Sequence, residues 1–72
     1  MKADYQKHFS NIGQNLLRLR TEQGLSQQEL ANKCNVDRAK ISKMENGRVD
    51  FMYSTLLDIA DALGVDISKL QS

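Results

Sequence analysis

The sequence predicts an all-α fold of five helices, and three observations carry that prediction. Apolar residues recur at intervals of three and four along most of the 72 residues. Proline is absent, and three of the four glycines (Gly24, Gly47 and Gly64) stand just past such periodic stretches, where helices end. The tetrapeptide "SQQE" at 26–29 is a capping box, the pairing of polar side chains that opens a helix.

The elements follow in chain order. Tyr5, Phe9, Ile12, Leu16 and Leu19 form one apolar stripe, although Gly13 weakens the case for a helix continuous from residue 4. Ile12 to Gln23 reads as helical throughout, with Gly24 as a left-handed residue after its end and Leu25 as the apolar contact beyond. Ser26 and Glu29 open the second helix, whose inner face carries Leu30, Ala31 and Cys34. Asn35 is expected to stop it in a left-handed conformation. Asp37 caps a third helix in which Ile41 and Met44 point inward and Gly47 ends the run. Met52, Leu56, Ile59, Ala60 and Leu63 mark the fourth, with Asp50 and Ser54 both qualifying as its N-cap. Asp66 is expected to cap a short fifth helix holding Ile67 and Leu70 inward.

Seventy-two residues make one domain, residues 1–72. A chain this short buries only about 60% of its unfolded surface, so a partner or a second copy helps to hold it. No apolar run approaches the length of a membrane helix, and "MKADYQKHFS" has no apolar core of an export signal, so a cytoplasmic protein is expected. One cysteine and one distant histidine (Cys34 and His8) assemble neither a disulfide framework nor a zinc site; no metal or cofactor is expected. The net charge of +1 hides an asymmetry. Residues 1–48 hold nine Lys/Arg against five Asp/Glu, giving +4, and residues 49–72 hold one against four, giving −3. A cationic front with an anionic back suits a polyanionic partner.

Helices two and three are separated only by Asn35, Val36 and Asp37. So short a link makes the pair cross at about 90–120°, the helix-turn-helix geometry, with the motif at about 26–46. Ala31 permits close approach where they cross, and Val36 plugs the shared core. The stretch "GLSQQELANKCNVDRAKISKMENG" resembles the Cro/cI-type (xenobiotic-response-element, XRE) helix-turn-helix regulators, and "LLDIADALGVDISKL" is similar to the same family's ending. The resemblance covers residues 12 to 70. It departs at Asn35, where the family most often has glycine, and at Met52, where a polar N-cap is more usual. The pair "DR" opening helix three and the "IS..E" that follows resemble restriction–modification controller proteins. The resemblance implies a five-helix lambda-repressor-like DNA-binding domain. It also implies that an arginine late in helix one, Arg20, pairs with Glu45 as a structural ion pair.

In such a motif the second helix enters the major groove. With Ile41 and Met44 facing the core, Arg38, Ala39, Ser42 and Lys43 become the candidates for reading bases. Arg38 is the strongest, since a guanidinium grips O6 and N7 of guanine together. Gln27, at the first turn of helix two, and Lys40, Asn46 and Arg48 are candidates for phosphate contacts. Cys34 is expected to be a small core residue. A lone histidine and cysteine without a catalytic motif argue against an enzyme. The function expected is that of a small transcriptional regulator, a repressor or autoregulator that binds a double-stranded DNA operator. The alternative is an antitoxin or co-regulator whose main role is to hold a protein partner. Phe51, Met52, Tyr53, Val65, Ile67 and Leu70 are expected to join two copies into a homodimer through helices four and five.

Overall fold

The computed structural model describes residues 5–48 and 50–72. Five helices run in order: α1 (Tyr5–Glu22), α2 (Gln27–Lys33), α3 (Arg38–Glu45), α4 (Tyr53–Leu63) and α5 (Ser68–Gln71). A helix start at residue 4 lies outside the described residues. Every helix sends at least one fully buried side chain to a shared core: Leu16, Leu30, Ile41 with Met44, Ile59 and Leu70. Each such burial is worth about 1.5–3 kcal/mol, so no helix is held by propensity alone. α1 packs on α3 and α5, while α2 packs on α3 and α4.

α1 is unbroken across Gly13, contrary to the weakness expected there. Gly13 is buried, and a Cβ added to it would lie 2.1 Å from the carbonyl oxygen of Met44. The missing side chain lets α1 cross the C-terminal end of α3 at backbone contact. Packing therefore outweighs the modest cost of glycine within a helix.

The helix ends follow the sequence signals closely in α2 and α3. The Ser26 hydroxyl accepts the Glu29 N–H at 3.0 Å, and the Glu29 carboxylate accepts the Ser26 N–H at 2.8 Å, completing the capping box. Asp37 accepts the Lys40 N–H at 2.8 Å. After α3, Gly47 takes φ +66°; its N–H bonds the Met44 carbonyl and the Arg48 N–H reaches back to Lys43. This is a Schellman ending, and Gly24 and Gly64 close α1 and α4 in the same way. Two α1-side amides satisfy carbonyls left open at other helix ends: Asn15 donates to Leu70 at 2.8 Å and Gln23 to Leu63 at 2.7 Å.

Four local expectations need correction. Asn35 is not left-handed, since no described residue other than glycine has positive φ. α2 ends a residue earlier than expected, and Cys34 turns the chain in an extended conformation (φ −139°, ψ 179°). Val36 then inserts into the core, 7% exposed, as expected. Neither Asp50 nor Ser54 caps α4; the cap position belongs to Met52, which has no side-chain hydrogen bond to offer, and Asp50 instead accepts the Phe51 N–H at 2.7 Å. Asp66 stands one residue before the cap position of α5, held by Ile67, yet its carboxylate still accepts the Ser68 N–H at 2.9 Å. That bond holds its pKa below the ordinary aspartate value.

Cys34 behaves as a small core residue. Its thiol donates to the Leu30 carbonyl at 3.3 Å, and burial pushes its pKa up. Among the described residues, no helix is long and apolar enough to cross a membrane.

Candidate nucleic-acid interface

α3 is held to the core by Ile41 and Met44, both fully buried. At 100° per residue, this pinning turns Ala39, Ser42, Lys43 and Asn46 to the opposite side, with Arg38 at the leading end. Arg38, Ala39 and Lys43 are exposed, and Ser42 is half-buried. The four candidates for base reading thus share the outward side of α3, with Arg38 and Ala39 bordering a depression between α2 and α3. Lys40 does not share that side: it is half-buried on the flank and borders a shallow depression with Thr55.

The ion pair between Arg20 and Glu45 is present and bidentate, with Nε–Oε2 at 2.6 Å and Nη2–Oε1 at 3.0 Å. Both side chains are largely sequestered, 11% and 5% exposed. The guanidinium also donates to the Leu25 carbonyl at 2.7 Å, tying the α1–α2 turn to the same centre. The hydrogen bond to Glu45 raises the Arg20 pKa, so the charge is fixed.

Sequence reasoning missed what Glu45 does next. Its Oε1 accepts the Gln27 amide at 2.9 Å, and the Gln27 carbonyl oxygen faces the Arg38 guanidinium at 3.4 Å. A polar chain therefore runs from Arg20 through Glu45 and Gln27 to Arg38. It orients Gln27 from behind and gives the leading arginine of α3 a partner on α2. Gln27 and Glu45 lie 18 positions apart, and no local spacing signals the bond.

Apart from Lys40, the phosphate candidates occupy two places. Half-buried Gln27 stands at the start of α2, where the first N–H groups have no intrahelical carbonyl to bond. Its amide keeps one hydrogen beyond that given to Glu45. Asn46 and Arg48 are exposed at the end of α3, and the Asn46 amide donates to the Ser42 carbonyl at 2.9 Å.

The residues expected to join two copies are divided by the structure. Met52 and Tyr53 are 71% and 59% exposed, but Leu70 is fully buried in the core and faces no partner. Phe51, Val65 and Ile67 are half-buried against that core, and the Phe51 ring leans on Phe9 with centroids 5.3 Å apart. Leu57, one turn after Tyr53 and 44% exposed, belongs to the outward apolar face and was not anticipated.

The Helix-turn-helix family model HTH_3 matches residues 16–70. Two relatives each match 59 residues, 82% of this chain. One is the immunity repressor protein of Bacillus phage phi105, 36% identical, of which the match covers 41%. The other is the HTH-type transcriptional regulator y4dJ of Sinorhizobium fredii, 39% identical and covered over 77%. The chain thus spans well under half of the phage repressor and about three quarters of y4dJ. Among solved structures, the restriction-modification controller protein C.AhdI of Aeromonas hydrophila superposes with a TM-score of 0.83 at 34% identity, over 86% of this chain and 94% of that one. The controller C.Esp1396I, solved as a tetramer in complex with its natural 35 base-pair operator, gives 0.76 at 26% identity, over 89% and 95%. The chain belongs to the HTH_3 family, the XRE-type helix-turn-helix DNA-binding regulators of transcription.

Proposed function

We propose that this protein binds double-stranded DNA sequence-specifically by inserting α3 into the major groove, and that it acts in the cytoplasm as a repressor or autoregulator of transcription. The observation that carries this reading is the orientation of α3. Ile41, Met44 and the anchored Glu45 hold one side, leaving Arg38, Ala39, Ser42 and Lys43 outward at its leading end. Arg38 reads a guanine through N7 and O6, and Ala39 meets a thymine methyl. Ser42 and Lys43 complete the base contacts. Gln27, positioned by Glu45, offers its free amide hydrogen and the start of α2 to one phosphate. Asn46 and Arg48 hold the backbone beyond α3, with Lys40 at the flank.

One such motif reads few base pairs, so two copies act together. Met52, Tyr53 and Leu57 supply the apolar face of a symmetric dimer, which places two recognition helices about 34–36 Å apart on half-sites of opposite orientation. Selection of bound duplexes from random DNA tests the whole reading. The expected result is a pseudo-palindrome with guanine in each half-site, bound with an affinity that falls steeply as salt rises. Recovery of no preferred sequence, or an affinity indifferent to salt, would refute it.

A further inference from the structure

The first turns of α1, residues 5–15, precede the family-matched residues 16–70 and extend the helix past the end of α3. They meet the α3–α4 connection at two points. The Gln6 side-chain amide donates to the Gly47 carbonyl across 41 positions of sequence. The Phe9 ring packs on Phe51 at 5.3 Å with the planes tilted by 59°. Next to Phe9 on α1, Ser10 lies so close to Gly47 that a Cβ on the glycine would stand 2.9 Å from the Ser10 hydroxyl and 3.1 Å from its Cα. Arg48 follows Gly47 directly, and Phe51 stands three positions later. The connection carrying Arg48 is therefore fastened to α1 on both sides.

The chemistry of the fastening suits a loop that meets an anion. The Gly47 N–H is spent on Met44 and the Arg48 N–H on Lys43, while the Gly47 carbonyl takes its hydrogen bond from Gln6. Unpaired, its oxygen would present negative partial charge beside a phosphate. The Gln6 N–H covers that oxygen, and it also orders the loop before DNA arrives, so less entropy is lost on binding.

We propose that Gln6 and Phe9 are positioning residues for DNA binding: they clasp the α3–α4 connection so that Arg48 meets the phosphate chain. The proposal rests on the reading that Arg48 contacts phosphate. It adds that a segment outside the helix-turn-helix controls that contact.

A double-mutant cycle separates the two. Gln6→Met keeps side-chain length and helix propensity and removes only the hydrogen bonding of an exposed residue. Binding is measured for wild type, Gln6→Met, Arg48→Ala and the double variant, on a duplex selected by this protein and on a scrambled one, across a salt series. Arg48→Ala should weaken both duplexes and lower the salt slope by about one. Gln6→Met should weaken both about threefold to tenfold, the worth of one hydrogen bond, and move the slope towards the Arg48→Ala value. In the Arg48→Ala background, Gln6→Met should have no further effect. The thermal midpoint of Gln6→Met should fall by no more than a few degrees, as one lost hydrogen bond allows, whereas a purely structural role would leave the salt slope at its wild-type value. If Arg48→Ala weakens binding while Gln6→Met is inert, or if the two effects simply add, the clasp is overturned and the phosphate reading survives. An inert Arg48→Ala removes the phosphate reading and the clasp with it.

Discussion

The helix-turn-helix and the α4–α5 region share one apolar core and differ in the polar bonds added to it. α2 and α3 are fixed by directional bonds: a capping box, the Asp37 cap, and the chain from Arg20 through Glu45 and Gln27 to Arg38. α4 begins at Met52 without a side-chain cap and is held by Leu56, Ile59, Ala60 and Leu63 in the core. Hydrogen bonds set angles and distances, whereas apolar burial rewards area and tolerates small shifts. A helix that must meet base edges needs the first kind of support. A face that meets another apolar face can rely on the second.

The sharpest way to break this contrast is at Glu45. Glu45→Ala leaves the Arg20 guanidinium sequestered without its partner and should cost about 3–5 kcal/mol in urea unfolding. Replacing both members by methionine should recover most of that stability. DNA affinity should nevertheless remain low, because Gln27 loses its acceptor. Recovery of full affinity in the double methionine variant would show that the polar chain does not position the site.

On the other side, Tyr53→Ser with Leu57→Ser removes exposed apolar groups and should leave the fold of one copy intact. Wild type should sediment as a dimer at micromolar concentration, and the variant should dissociate at least about tenfold more readily. A monomeric wild type under those conditions would rule out this dimer face.

The smallest effects belong to the caps. Ser26→Ala should cost about 1 kcal/mol. Glu29 accepts the Ser26 N–H, which holds its pKa below the ordinary glutamate value. A depressed pKa stabilises the fold at pH values above the unfolded value, about 4.3, and that stability is lost as pH falls through the lower folded value. The stability difference between wild type and Glu29→Gln should therefore be constant near neutrality and shrink below about pH 4.3. A difference unchanged down to pH 2 would contradict the capping role.

How much of this was legible in the sequence follows the same division. Local signals were readable because they act over a few residues: Ser26 with Glu29, Asp37, and the helix ends at Gly24, Gly47 and Gly64. Periodicity assigned the inward phase of Ile41 and Met44, and hence the outward candidates on α3. The Arg20–Glu45 pair was reached only through family resemblance, since 25 residues separate its members. Gly13 was misread as a weak point because a glycine's value at a helix crossing depends on what lies opposite, here the Met44 carbonyl. Leu70 was placed both inside the core and on the dimer face, since apolar type alone does not say which apolar residues a small core has room for. Asn35 was assigned a left-handed turn by residue preference, but the extended Cys34 already redirects the chain.

The central claim is that the outward face of α3 reads bases, with Arg38 foremost. The direct measurement is the affinity of wild type and Arg38→Ala for a selected operator, for that operator changed at each guanine in turn, and for a scrambled duplex. Arg38→Ala should lose about 1–3 kcal/mol on the operator and become indifferent to one guanine position, while binding the scrambled duplex with only a small change. An Arg38→Ala protein that weakens equally on every duplex and keeps its full preference at each guanine would contradict it.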